Sequence, residues 1–240
     1  MLYALHELQR SLLSPIVTAA NVLKETTHSP FNPLRDLPFV RAVGANSELF
    51  TRVMQRYHKP SWDIETVEVE GKAVAVHEEI VIDKPFCKLI HFRKDAKFKG
   101  PKLLIVAPLS GHFATLLRDT VRTTLAEHDV WVTDWVDAKM VPLSDGQFCL
   151  DDYVDYIKEF ICSLAPNLNV MSVCQPTVPV LAAISLLASE RNPHVPDAMI
   201  MMGGPIDARL SPTAVNQFAD EHSHQWFTNQ MIMRVPQNYP

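Results

Sequence analysis

Cys174 is the side chain in this sequence best placed to act as a nucleophile. It stands in Asn169-Val-Met-Ser-Val-Cys174-Gln-Pro-Thr-Val-Pro179, where an apolar, strand-like run meets a tight turn and then an apolar helical run. A strand–turn–helix of this kind is the setting of a nucleophile elbow, which holds the reactive group on a strained backbone at a helix amino end. There the helix dipole and free N–H groups favour a thiolate and, later, an oxyanion. A thiol so placed falls below its usual pKa of about 8.5 and needs less activation than a serine hydroxyl. The usual elbow has small residues two before and two after the nucleophile. Ser172 fits the first place. Pro176 takes the second, where glycine is usual, although proline suits a first helical turn. The competing reading is a small buried core cysteine, a common fate of this residue type.

Acyl transfer at such an elbow also needs an oxyanion hole. Val106-Ala-Pro-Leu-Ser-Gly111-His112-Phe113 follows a strand-like run and could supply one N–H through Gly111 and His112, with Gln175 supplying the other. An ordinary strand-to-helix turn containing a glycine accounts for the same residues. His112 precedes a helical stretch, which favours an oxyanion or positioning role over that of a general base. Asp134 and Asp137 end another strand and read as structural groups. Asp151 and Asp152 read as helix-capping groups. A cysteine nucleophile wants a histidine base and usually a carboxylate to orient it. After Cys174 come His194, His222 and His224, none at a strand end where the base would be expected. Asp207 is the candidate acid.

The elements that must position these groups follow from periodicity. Residues 2–26 read as a helix, with Leu5, Leu8, Leu12, Leu13 and Ile16 at helical spacing and Pro15 as a kink or restart. Residues 29–38 read as a loop and 45–57 as a second helix. Short β-branched runs either side of Gly71 suggest an antiparallel hairpin, and 89–93 another strand. From Lys102 onward strands at 103–107, 130–134, 167–173 and 198–202 alternate with helices at 113–127, 151–164 and 178–189. That alternation predicts a mainly parallel sheet with helices on both faces and chemistry at the carboxyl ends of its strands. The expected organisation is a helical extension over 1–60 and an α/β domain over 61–240.

Bulk properties narrow the function classes. Of 240 residues 47% are apolar and 20% charged, as in an ordinary globular protein. The net charge of −5, with no basic cluster, argues against nucleic-acid binding. No apolar run reaches the roughly 18–20 residues of a membrane span. The first 23 residues lack the pattern of a secretory signal, so a cytoplasmic setting with reduced thiols is expected. The four cysteines share no metal-binding spacing, and no metal or other cofactor is expected.

The sequence resembles the intracellular polyhydroxybutyrate depolymerases. The resemblance rests on Met1-Leu-Tyr-Ala-Leu-His-Glu-Leu-Gln-Arg10, Tyr57-His-Lys-Pro60 with Trp62, Pro85-Phe-Cys87 and Pro108-Leu-Ser-Gly-His-Phe113. Thr133-Asp-Trp-Val-Asp137, Leu150-Asp-Asp-Tyr153 and Cys174-Gln-Pro176 also match. Met201-Met-Gly-Gly-Pro-Ile-Asp207, with Pro212-Thr213 and Val215-Asn216, completes the set. The resemblance implies an α/β-hydrolase fold and a Cys–Asp–His triad whose cysteine is Cys174. It implies the storage polyester, or its granule surface, as partner. The family's Asp and His fall in a C-terminal part, so this sequence is expected to be the N-terminal part of a longer chain. Its closing strands are expected to be missing, with 200–240 beginning the depolymerase C-terminal region, and the piece is expected to be inactive by itself. Polymer synthases use a cysteine on the same kind of elbow but keep glycine near it. Three functions follow as expectations: ester hydrolysis of poly(3-hydroxybutyrate), synthase-like acyl transfer, and non-catalytic granule association through the N-terminal helices.

Overall fold

The parallel half of the sheet exists because the run at 103–106 is apolar, and that at 168–173 mainly apolar, on both sides of the pleat, so both faces must be covered. The computed structural model describes residues 2–55, 57–109, 113–233 and 235. These fall into two compact units, one from 1–58 with 223–239 and one from 59–222.

The first unit is helical. It contains α1 (Leu2–His28) and α2 (Pro38–Met54). α1 does not restart at Pro15. It packs on α2, and Arg10 donates to the Met54 carbonyl at 3.0 Å, so tertiary contacts carry the helix past the missing N–H. α2 begins seven residues before the expected start, because Pro38 fits a first helical position, where no N–H is required.

The second unit opens with a hairpin of β1 (Thr66–Val69) and β2 (Lys72–Asp83). Glu70 and Gly71 make its two-residue turn with φ of 50° and 76°, the left-handed pair that a tight antiparallel hairpin needs. β3 (Cys87–Lys94) pairs antiparallel with β2. β4 (Lys102–Val106) leads through a 3₁₀ turn, Ala114–Leu117, into α3 (Arg118–Leu125). β5 (Asp129–Trp135), α4 (Leu150–Leu164), β6 (Leu168–Val173), α5 (Thr177–Ser189), β7 (Ala198–Met202) and α6 (Ala214–Asp220) follow. α7 (His224–Gln230) lies in the first unit.

The seven strands run in the order β1-β2-β3-β5-β4-β6-β7. β5, β4, β6 and β7 are parallel neighbours, and β3 meets β5 antiparallel. Alternate side chains divide between two cores. Leu104 and Val106 join Ile157, Phe160, Ile161 and Val180 under α4 and α5. Leu103 and Ile105 join Phe92, Val121, Leu125 and Val132 under α3. The chain leaves β4 toward β5 on one side and returns to β6 on the other. The order therefore reverses at β4, and the crevice beyond the carboxyl ends of β4 and β6 is where such a sheet holds a ligand.

Candidate active site

Cys174 is the first residue after β6. Its φ is 69°, a conformation that a residue with a Cβ adopts only when its surroundings impose it. Those surroundings are visible. Its N–H donates to the Met202 carbonyl at the end of β7, 2.7 Å away. Its own carbonyl accepts from the N–H of Thr177 at 3.2 Å and from the Thr177 hydroxyl at 2.8 Å. Thr177 is fully buried at the start of α5. Two residues before the cysteine, buried Ser172 donates to the Ile200 carbonyl at 3.3 Å. The backbone is thus pinned on both sides while Cys174 itself is exposed, unlike a core cysteine. Pro176 adopts helical dihedrals as the cap residue of α5, so proline is accommodated where glycine is usual.

Gly204 completes the elbow from β7. A Cβ built there would lie 1.8 Å from the Thr177 hydroxyl oxygen, so only glycine lets the strand end approach α5 this closely.

The loop after β4 is fastened on one side by β5 and on the other by the elbow. Ala107 donates to the Thr133 hydroxyl at 2.9 Å, and its carbonyl accepts from the Trp135 indole at 2.8 Å. The Leu109 N–H donates to Oε1 of Gln175 at 3.1 Å. Gly111 and His112 lie outside the described residues, as does Ser110. The loop base that would carry an oxyanion donor is thus tied directly to the residue after Cys174. The spacing of residues gave no sign of this side-chain link, which joins positions 66 apart.

Beside this loop is a cavity of about 630 Å³. Leu109 and Phe113, the described residues flanking the loop, line it with Phe86, Trp135 and Phe148. Phe148 stacks on Phe86 at 4.8 Å and meets Trp135 edge-on at 5.8 Å.

The candidate carboxylates have other partners. Asp134 is mostly buried and ion-paired to Lys59, the structural part expected of it. Glu78 lies near this pair, and burial raises its carboxyl above the usual range. Asp137 accepts from the Lys139 N–H at 3.2 Å and pairs with its ammonium at 3.1 Å. Asp152 accepts from the Cys149 N–H at 2.7 Å, so it closes α4 from within the first turn while Cys149 is the cap residue. That backbone bond holds its carboxyl below the usual range.

Asp207 receives both arms of Arg209 at 2.8 Å, which likewise lowers its pKa. His194 is exposed in the loop before β7, with its backbone N–H on Asn192. His222 follows α6, its ring 2.9 Å from the Phe218 carbonyl, and His224 opens α7. Among the described residues no histidine or carboxylate hydrogen-bonds Cys174, and no three metal-binding side chains converge.

The sheet order, the antiparallel leading strands and the strained turn after the strand beside the switch point define an α/β-hydrolase-type protein. Residues 203–240 match the family described as "PHB de-polymerase C-terminus", which bears out the resemblance to polyhydroxybutyrate depolymerases. A search of curated proteins gave no match. Solved structures similar to this chain include an esterase/lipase from an uncultured bacterium, with 14% identity, 89% of this chain and 66% of that one covered, and a TM-score of 0.42. A hyperthermophilic esterase from the archaeon Pyrobaculum calidifontis has 13% identity, 82% and 61% coverage, and a TM-score of 0.42. A putative esterase from Staphylococcus aureus has 13% identity, 83% and 60% coverage, and a TM-score of 0.40. The chain spans less than two thirds of the length of each of these structures.

Proposed function

We propose that this protein hydrolyses the ester bonds of poly(3-hydroxybutyrate) with Cys174 as nucleophile. The observation that carries the reading is an exposed cysteine held at φ 69° between β6 and α5, beside the strand at which the sheet order reverses. The family match at 203–240 points to the polyester as substrate.

The thiolate attacks the ester carbonyl. The tetrahedral oxyanion forms near the backbone N–H of Gln175 and the loop 110–112. The C–O bond breaks, the alcohol end of the polymer takes up a proton, and an acyl-thioester remains. Water then attacks the thioester, releasing 3-hydroxybutyrate or an oligomer and restoring the thiol. No cofactor enters these steps. For Asp207 to orient a base, it must exchange Arg209 for an imidazole. Pro176 in place of a second glycine favours this reading over synthase-like acyl transfer.

The test is Cys174→Ala on amorphous polymer, read as release of 3-hydroxybutyrate. Loss of a catalytic nucleophile lowers kcat by about 10⁴ or more. Unchanged release would sink the assignment. Polymer formed from 3-hydroxybutyryl-CoA would assign the site to acyl transfer instead.

A second reading concerns location. Leu5, Leu8, Leu12 and Ile16 of α1 are all more than half exposed and recur at helical spacing. An open apolar stripe of this kind is a contact surface. It fits a neutral polyester, and that fit supports an association with cytoplasmic storage granules. Among the described residues no helix is long and apolar enough to cross a membrane.

A further inference from the structure

The cavity beside the loop after β4 has chemistry and size of its own. Its described walls are Phe86, Leu109, Phe113, Trp135, Val136, Asp137, Ala138 and Phe148, and the single carboxylate is already paired with Lys139. A hollow with such walls offers little to a charged or strongly polar ligand and much to an alkyl chain, whose burial is favourable in proportion to its apolar area. Its position is set by hydrogen bonding. Leu109, in its wall, donates to Gln175, the neighbour of Cys174. Leu109 and Phe113 bracket the loop on which the oxyanion donor is proposed. The hollow is thus joined, through Leu109 and the Gln175 side chain, to the residue after Cys174. The volume of about 630 Å³ lies within the roughly 300–1,000 Å³ typical of small-molecule pockets. The methyl branch of a 3-hydroxybutyrate unit would occupy only a small part of it.

We infer that this cavity is the acyl subsite of the Cys174 site, and that it takes alkyl chains well beyond a methyl group, of the medium length found in 3-hydroxyalkanoate and fatty-acyl esters. The inference rests on Cys174 being the reacting residue, and it widens the substrate class beyond the short-chain polymer. Phe148, in ring contact with Phe86 and Trp135, forms one wall. Ala138 lines the hollow and is exposed on a 3₁₀ turn, so a larger side chain there narrows the hollow without disturbing a core.

The test reads Cys174 directly and needs no turnover. Alkyl methanethiosulfonates with methyl, butyl, hexyl and octyl groups react with the thiolate to give a Cys174 alkyl disulfide and release methanesulfinate. The rate at Cys174 is followed by mass spectrometry of its peptide. Each methylene that enters the cavity raises the rate by about three- to fourfold. Ala138→Phe flattens that gradient. Phe148→Ala moves the end of the gradient to longer chains, and it decides the matter if Ala138→Phe does not fold. A flat series in the wild type, or a gradient unchanged in both variants, overturns the inference. Hydrolysis that persists in Cys174→Ala would instead overturn the nucleophile reading, and the labelling gradient would stand apart from that result.

Discussion

Gln175 serves the elbow through its side chain as well as its backbone. Its Oε1 accepts from the Leu109 N–H, so that N–H is committed to holding the loop, and the second oxyanion donor in the proposed mechanism must come from 110–112. Methionine at 175 keeps the length of the side chain and loses the acceptor, whereas glutamate keeps an acceptor oxygen. A net hydrogen bond of about 0.5–1.5 kcal/mol is at stake. Gln175→Met should lower kcat on a soluble ester by about two- to tenfold with KM little changed, and Gln175→Glu should stay closer to wild type. Equal losses in both variants would show that the acceptor has no positioning role. Cys174 was legible in the sequence because everything that makes an elbow is local: a strand, a turn and a helix within eleven residues. The Gln175–Leu109 and Lys59–Asp134 pairs were not legible, because they join positions 66 and 75 apart and depend on which strands are neighbours.

At the level of elements, β4 was readable as a short buried apolar run and β5 to β7 as short runs rich in apolar residues between helical stretches, although β7 is mostly exposed, and the hairpin was readable because Gly71 marks its turn. The helical boundaries were less so. The start of α2 depended on a proline at a first helical position, and α1 is continuous through Pro15 because contacts with α2 outweigh the lost hydrogen bond. The apolar residues that made α1 recognisable are mostly not the ones packed inward. Leu13 and Val17 are half-buried, while Leu5, Leu8, Leu12 and Ile16 are exposed. The closeness of β7 to α5 was also hidden, since Gly204 looks like any strand-ending glycine until Thr177 is placed against it. Gly204→Ala forces Thr177 or the strand end to shift, and overpacking of this kind costs about 1–3 kcal/mol. Thermal unfolding should show the variant less stable than wild type. Adding Thr177→Ala removes two of the three close contacts and should recover part of the loss in a double-mutant cycle. Strictly additive losses would mean that the two residues do not share this packing.

For the whole molecule, the question is what would bring a chain of net charge −5 to the insoluble polyester proposed as its substrate. A neutral polyester offers no opposite charge to attract it, so long-range steering contributes little, and adsorption must come from apolar contact. The stripe on α1 is the exposed surface with the right chemistry and a regular spacing. Fully burying a leucine side chain is worth about 1.5–3 kcal/mol, so placing a charge at two stripe positions should cut adsorption by at least tenfold. Leu8→Glu with Leu12→Glu should therefore leave the protein largely in the supernatant after sedimentation with amorphous polymer, whereas Cys174→Ala should sediment like wild type. Adsorption of the wild type should change little between low and high salt, because screening acts on charge and not on apolar burial. If the double variant still sediments fully, or if salt releases the wild type, the contact lies elsewhere and α1 is not the adsorbing face.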